Sequence, residues 1–111
     1  MDQGWITQLR KGLLEYLTLI IIQRGETYGY EVVQNLKTIE GMDLTESTVY
    51  PILARLKKEG FAKTRTAPSP GGPPRRYYSL TSSGKVRVMF MNQYWNLLNR
   101  SIEELRKGEI G

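Results

Sequence analysis

The chain has 111 residues, 40% of them hydrophobic, enough for one compact domain with its own core and too few for a separate catalytic domain. It contains no Cys and no His, which excludes disulfide scaffolds, zinc ribbons, thiol nucleophiles and Ser–His–Asp triads, along with the usual general base and pH switch. Sixteen Lys and Arg against eleven Asp and Glu give a net charge of +5, which suits an anionic partner without choosing among nucleic acid, a membrane surface and an acidic protein.

The first element expected is a helix over residues 4–24. Its apolar residues Trp5, Ile6, Leu9, Leu13, Leu14, Tyr16, Leu17, Ile20 and Ile21 cover most of the circumference, so burial on more than one side is expected. A partner chain would explain that in a terminal helix. The most apolar stretch, residues 13–22, carries Glu15 and Thr18 and is too short to span a bilayer. It also lies too far inside for a cleaved signal, so the default compartment is the cytoplasm and no membrane partner is expected.

A second helix is expected over residues 28–40, capped by Thr27, with Val32, Val33, Leu36 and Ile39 inward. A third over residues 46–59 takes Thr45 as its cap and turns Val49, Ile52, Leu53 and Leu56 inward. Pro51 lies inside it, removes a hydrogen bond and crowds the Ser47 carbonyl, so a kink or a loosened first turn is expected. The pattern then changes. A short segment at residues 61–66 and a strand at residues 75–80 flank residues 67–74, where Pro68, Pro70, Gly71, Gly72, Pro73 and Pro74 predict an exposed hairpin loop. Strand alternation sends Tyr77 and Tyr78 to opposite faces, one packing beneath the hairpin and the other lying on its surface. A long helix opens at Thr81 or Ser82 and continues to about residue 107.

Charge is concentrated. Between residues 55 and 87 stand Arg55, Lys57, Lys58, Lys63, Arg65, Arg75, Arg76, Lys85 and Arg87, opposed only by Glu59, a net +8 against +5 for the whole chain. A short helix with a polar outward face, followed by a basic hairpin, is the pattern of a winged helix-turn-helix, whose helix enters a major groove while the hairpin reaches the flanking backbone. With Val49, Leu53 and Leu56 inward, Ser47, Thr48, Pro51, Arg55 and Lys58 lie opposite. Small hydroxyls near the helix start can approach bases closely, and Arg55 and Lys58 can neutralise phosphates. Taken alone, that helix reads equally as an ordinary solvated face.

Several motifs arrive in order: Thr27-Tyr28-Gly29-Tyr30-Glu31; Ser47-Thr48-Val49-Tyr50-Pro51-Ile52-Leu53 with Arg55-Leu56 and Gly60; and Arg75-Arg76-Tyr77-Tyr78 with Leu80-Thr81 before Gly84. Together they resemble the PadR family of bacterial winged-helix transcriptional regulators, mostly repressors, over nearly the whole chain. The single C-terminal helix is similar to the compact branch of that family, which includes multidrug-responsive repressors. The proline-rich wing departs from the family pattern. The resemblance implies a homodimer in which the last helix packs against the first and last helices of the partner. The residues agree, since Val88, Met91, Trp95, Leu98, Ile102 and Leu105 recur at alternating steps of three and four, a seam like a coiled coil. Phe90, Tyr94 and Leu97 widen it; the alternative is a long helix packed on its own domain. The resemblance also implies a ligand site at the dimer centre around Trp95, with Trp5, Ile6 and Met91, where a planar hydrophobic inducer would stack. Dimer core explains Trp95 as well.

These readings give a mainly α fold with a β-hairpin wing: a winged helix-turn-helix over residues 1–80 and a C-terminal dimerisation helix over residues 81–111, one compact unit. The function expected is sequence-specific regulation of transcription by a homodimer on double-stranded operator DNA, as a repressor released by a small ligand. The DNA contacts expected are Tyr28, Thr45, Ser47, Thr48, Tyr50, Pro51, Arg55, Lys58, Lys63, Arg65, Arg75 and Arg76. The rival is a winged-helix module that binds only protein, which would not need the +8 block. No enzyme, cofactor or metal is expected, and the adjacent Glu103 and Glu104 point to different sides of a helix and make no acid–base pair.

Overall fold

The computed structural model describes residues 3–42 and 44–110. The chain forms α1 (Gln3–Gln23), β1 (Thr27–Tyr28), α2 (Gly29–Lys37), α3 (Glu46–Lys58), β2 (Ala62–Ser69), β3 (Gly72–Leu80) and α4 (Ser82–Arg106). The three strands make one antiparallel sheet in the order β1-β3-β2. Leu19 and Ile22 of α1, Val32, Val33 and Leu36 of α2, and Val49, Leu53 and Leu56 of α3 close on one another, with Tyr78 and Leu80 of β3 beneath the sheet. Each fully buried aliphatic side chain contributes on the order of 1.5–3 kcal/mol, and Val88 of α4 joins the same cluster.

Burial along α1 is lopsided. Leu14, Thr18, Leu19, Ile21 and Ile22 are buried, whereas Trp5 and Leu9 near its start are exposed, so its own chain covers only the C-terminal half of the apolar surface. The second helix departs from expectation at both ends. Thr27 and Tyr28 are drawn into β1 by pairing with Tyr78 and Tyr77, which moves the cap from Thr27 to Tyr28. Glu31 secures that start, accepting from the Tyr28 N–H at 3.3 Å and from the Thr27 hydroxyl at 3.1 Å. At the other end the Thr38 N–H turns to the Asn35 carbonyl at 3.2 Å, a tighter spacing that closes the helix at Lys37 and leaves Ile39 exposed rather than inward.

The third helix keeps its expected span and is continuous through Pro51. Pro51 and Ser47 are both exposed, on the side of α3 where a carbonyl left without its helical donor can be met by solvent. Gly60, at φ +84°, ends the helix in a Schellman turn: its N–H bonds the Lys57 carbonyl at 3.1 Å and the Phe61 N–H bonds the Leu56 carbonyl at 2.9 Å. That turn aims the chain into the wing.

The wing corrects the expected loop. Its strands run out to Ser69 and back from Gly72, leaving only Pro70 and Gly71 as the tip. The prolines are tolerated because β2 is an edge strand, and because β1 reaches only Tyr77 and Tyr78, so the far end of β3 needs no second ladder. A register shift between Ala67 and Ser69 absorbs the missing donors, and the Ser69 hydroxyl donates to the Pro73 carbonyl at 2.6 Å. The tyrosines divide as alternation requires: Tyr78 is buried and Tyr77 half-buried on the outer face.

The last helix is seated at its first turn. The Thr81 hydroxyl accepts from the Gly84 N–H at 3.0 Å and donates to the Gly60 carbonyl at 2.6 Å. A Cβ on Gly84 would overlap the Phe61 carbonyl oxygen, so a glycine is what lets α4 lie against the junction of α3 and the wing. Val88, expected on the dimer seam, is fully buried against its own chain instead. Of the 25 residues of α4, only Gly84 and Val88 are buried.

Candidate nucleic-acid interface and the groove between α1 and α4

Helical spacing sorts the side chains of α3 around its buried stripe. Ser47, Pro51, Ala54 and Lys58 form the outward ridge, with Thr48 and Arg55 on the flank toward α1 and Tyr50 on the flank toward the wing, all of them exposed. At the helix start the Thr45 and Ser47 hydroxyls are 2.7 Å apart and hydrogen bonded. The Tyr50 ring lies over Gly29 so closely that a Cβ there would collide with it. Burial, and then the nearby Glu46 and Tyr78, raise the Tyr50 hydroxyl above the usual phenol range, so it stays protonated and able to donate.

Between this flank and the wing runs a groove of about 660 Å³, bordered by Tyr28, Tyr30, Tyr50, Pro73, Arg75 and Arg76. Arg75 stacks on Tyr28 at 4.5 Å from its ring centre, and Tyr28 meets Tyr77 edge to face at 5.5 Å. The groove is therefore aromatic on its walls and positive at its rim. Tyr30 and Ala54 were absent from the expected contacts. Ala54 had a legible signal in its spacing of seven from Ser47, whereas nothing local marked Tyr30 as facing the wing.

The expected cations separate into two groups. Among the described residues, none forms an ion pair with Lys58, Lys63, Arg75 or Arg76. Arg55, by contrast, is 3.0 Å from Glu15 and 3.7 Å from Glu59, and Arg65 is 2.5 Å from Glu26. The Arg65 hydrogen bonds hold the Glu26 carboxyl below the usual carboxylate range, and Glu26 in turn raises Arg65.

A second groove, about 470 Å³ and mostly apolar, lies between α1 and α4, bordered by Leu9, Leu13, Tyr16, Met91, Tyr94 and Trp95 among others. Tyr16 donates to Asn92 Oδ1, and its ring centre is 6.4 Å from that of Trp95. Of the expected ligand residues, Trp95 and Met91 border this groove; Trp5 and Ile6 do not, because α1 contributes Gln8, Leu9, Gly12, Leu13 and Tyr16 instead. On the seam, Met91, Trp95, Leu98 and Ile102 are half-buried and Leu105 is exposed, flanked by exposed Phe90, Tyr94 and Leu97. Among the described residues no cluster of side chains could hold a metal ion, and no helix is long and apolar enough to cross a membrane.

A helix-turn-helix with its third helix outward, a three-stranded sheet ending in a basic hairpin, and a long helix beyond it define a winged helix-turn-helix protein of the regulator class. Residues 18–89 match the transcriptional regulator PadR-like family, and the chain belongs to that family. It is 30% identical over 100 residues to the negative transcriptional regulator PadR of Bacillus subtilis, covering 88% of this chain and 53% of that protein, so it spans about half of that relative's length. The crystal structure of a Streptococcus transcriptional regulator superposes with a TM-score of 0.80 at 38% identity, covering 89% of this chain and 97% of that one. Bacillus subtilis PadR in complex with operator DNA superposes with a TM-score of 0.64 at 31% identity, over 71% of this chain and 46% of that one.

Proposed function

We propose that this regulator is a homodimeric repressor that binds a double-stranded operator through α3 and the wing and is released by a planar hydrophobic ligand. The observation that carries the DNA reading is the outward ridge of α3 beside an aromatic groove rimmed by Arg75 and Arg76. In it, Ser47, Thr48, Tyr50 and Pro51 meet base edges, with Tyr28 and Thr45 beside them, while Lys58, Lys63, Arg75 and Arg76 take phosphates. Repression follows the negative regulation named for the Bacillus subtilis relative. The dimer reading rests on the uncovered apolar side chains of α1 and α4, and it places two recognition helices about one helical turn of DNA apart. The α1–α4 groove is where the ligand stacks, against Trp95 and Tyr16. The site of action is the cytoplasm.

Footprinting on the region upstream of the protein's own gene tests the DNA reading, with salt titration of the affinity beside it. A protected two-part site whose binding weakens steeply with salt is the expected result. Absence of protection, with salt-insensitive binding, favours a protein-binding module instead. Tryptophan fluorescence during titration with planar aromatic compounds, comparing wild type with Trp95→Phe, tests the ligand. Quenching lost in the variant and accompanied by operator release is expected; binding that leaves DNA affinity unchanged rejects the inducer role.

A further inference from the structure

Three of the arginines in the basic block, Arg55, Arg65 and Arg87, already hold carboxylates, and Arg65 does so in the way a guanidinium holds phosphate. Arg65 on β2 gives its Nε–H to Glu26 Oε2 at 2.7 Å and its Nη2–H to Glu26 Oε1 at 2.5 Å, a two-pronged grip. Tyr77 supports the guanidinium from one side, 4.8 Å from ring centre to Cζ. On the opposite flank, Glu15 is shared: Arg55 of α3 reaches its Oε1 at 3.0 Å and Arg87 of α4 its Oε2 at 2.6 Å. Both acids come from α1 or the turn after it: Glu15 lies 40 residues from Arg55 and 72 from Arg87, and Glu26 lies 39 from Arg65. Neither belongs to the helix or the hairpin that faces DNA.

We propose that Glu15 and Glu26 are internal stand-ins for phosphate, holding Arg55 and Arg65 off the DNA backbone so that nucleic-acid affinity rests on Lys58, Lys63, Arg75 and Arg76. The inference rests on the DNA-binding reading and adds to it a limit on sequence-independent affinity. Phosphate contacts carry no sequence information, so withholding two of them lowers the affinity for the operator and for arbitrary duplex by about the same factor, and keeps the protein from holding arbitrary duplex as tightly as its full set of cations would allow. An arginine that left its carboxylate for a phosphate would strand that carboxylate beside a chain of negative charge, which opposes the exchange.

Glu26→Gln is the cleaner variant, because its pair lies at the surface; Glu15→Gln tests the other flank, with circular dichroism to confirm that each variant is folded. Affinity for the operator fragment and for a random duplex is measured from 50 to 200 mM salt. Glu26→Gln is expected to steepen the salt dependence by about 0.9 in the log–log slope, so that its gain in affinity is roughly 3.5-fold larger at 50 than at 200 mM salt. Affinity for the operator and for the random duplex should rise by about the same factor, because a phosphate contact is made on any sequence. In an Arg65→Ala background, Glu26→Gln should leave the slope unchanged, because the freed contact is missing. An equal slope change in both backgrounds, or none in either, overturns the inference and leaves the DNA-binding reading standing. A wild-type protein that binds neither duplex overturns both.

Discussion

The two halves of this molecule close their apolar surface by different means. In the winged-helix half, Leu19, Ile22, Val32, Leu36, Val49, Leu53 and Leu56 seal against one another within a single chain. Beyond Val88, α4 leaves Met89, Phe90, Tyr94, Leu97 and Leu105 exposed, and the start of α1 adds Trp5 and Leu9. Large exposed apolar side chains gathered on one helix are what a protein interface uses, whereas a monomer seldom leaves extensive apolar surface in water. The first half thus closes most of its own core, and the second leaves apolar side chains that a second subunit would cover in the proposed dimer.

The largest effect is expected where the open half is broken. Phe90→Asp with Leu97→Asp places charge on the uncovered face without touching the closed core. Light scattering should report a monomer that keeps its helical signal, and operator affinity should fall by roughly 10²–10⁴-fold as the second half-site is lost. A dimer that survives would show that this face is not the interface. The converse change, Leu53→Ala, digs a cavity under α3 and should cost about 2–5 kcal/mol in denaturant unfolding. If the two halves are as distinct as their burial indicates, dimer affinity should change far less than stability does.

Where the halves join, Gly84→Ala pushes α4 away from the Phe61 carbonyl, and about 1–3 kcal/mol of stability should be lost. Thermal unfolding gives the cost, and operator affinity read in parallel shows whether the seating of α4 also sets the position of the wing. The smallest effect is confined to the DNA face. Arg76→Ala, on the rim of the wing groove, should leave unfolding unchanged and make the salt slope shallower by about 0.9. Arg55→Ala should not reduce the slope in that way, since Glu15 already holds that side chain.

Much of this was readable in the chain itself. Period-3.6 patterns located α1, α3 and α4 nearly to the residue, because a helix satisfies its own backbone and its signal is local. The absence of Cys and His removed whole reaction classes, and the ordered Tyr, Pro, Arg and Gly motifs of α2, α3 and the wing pointed to the family. Tertiary structure alone decided what depended on distant partners. Thr27 and Tyr28 became a strand because β3 lies beside them, and the proline-rich segment became paired strand because β2 is an edge strand and β1 reaches β3 only at Tyr77 and Tyr78. Val88 turned into its own core while Phe90 and Tyr94 stayed out, a division that the heptad spacing of α4 could not make. Arg55 and Arg65 counted as free cations in the sequence, yet folding delivered Glu15 and Glu26 to them. Local periodicity sets which elements form; which surfaces they bury and which charges they neutralise is a property of contacts that close only when the chain is folded.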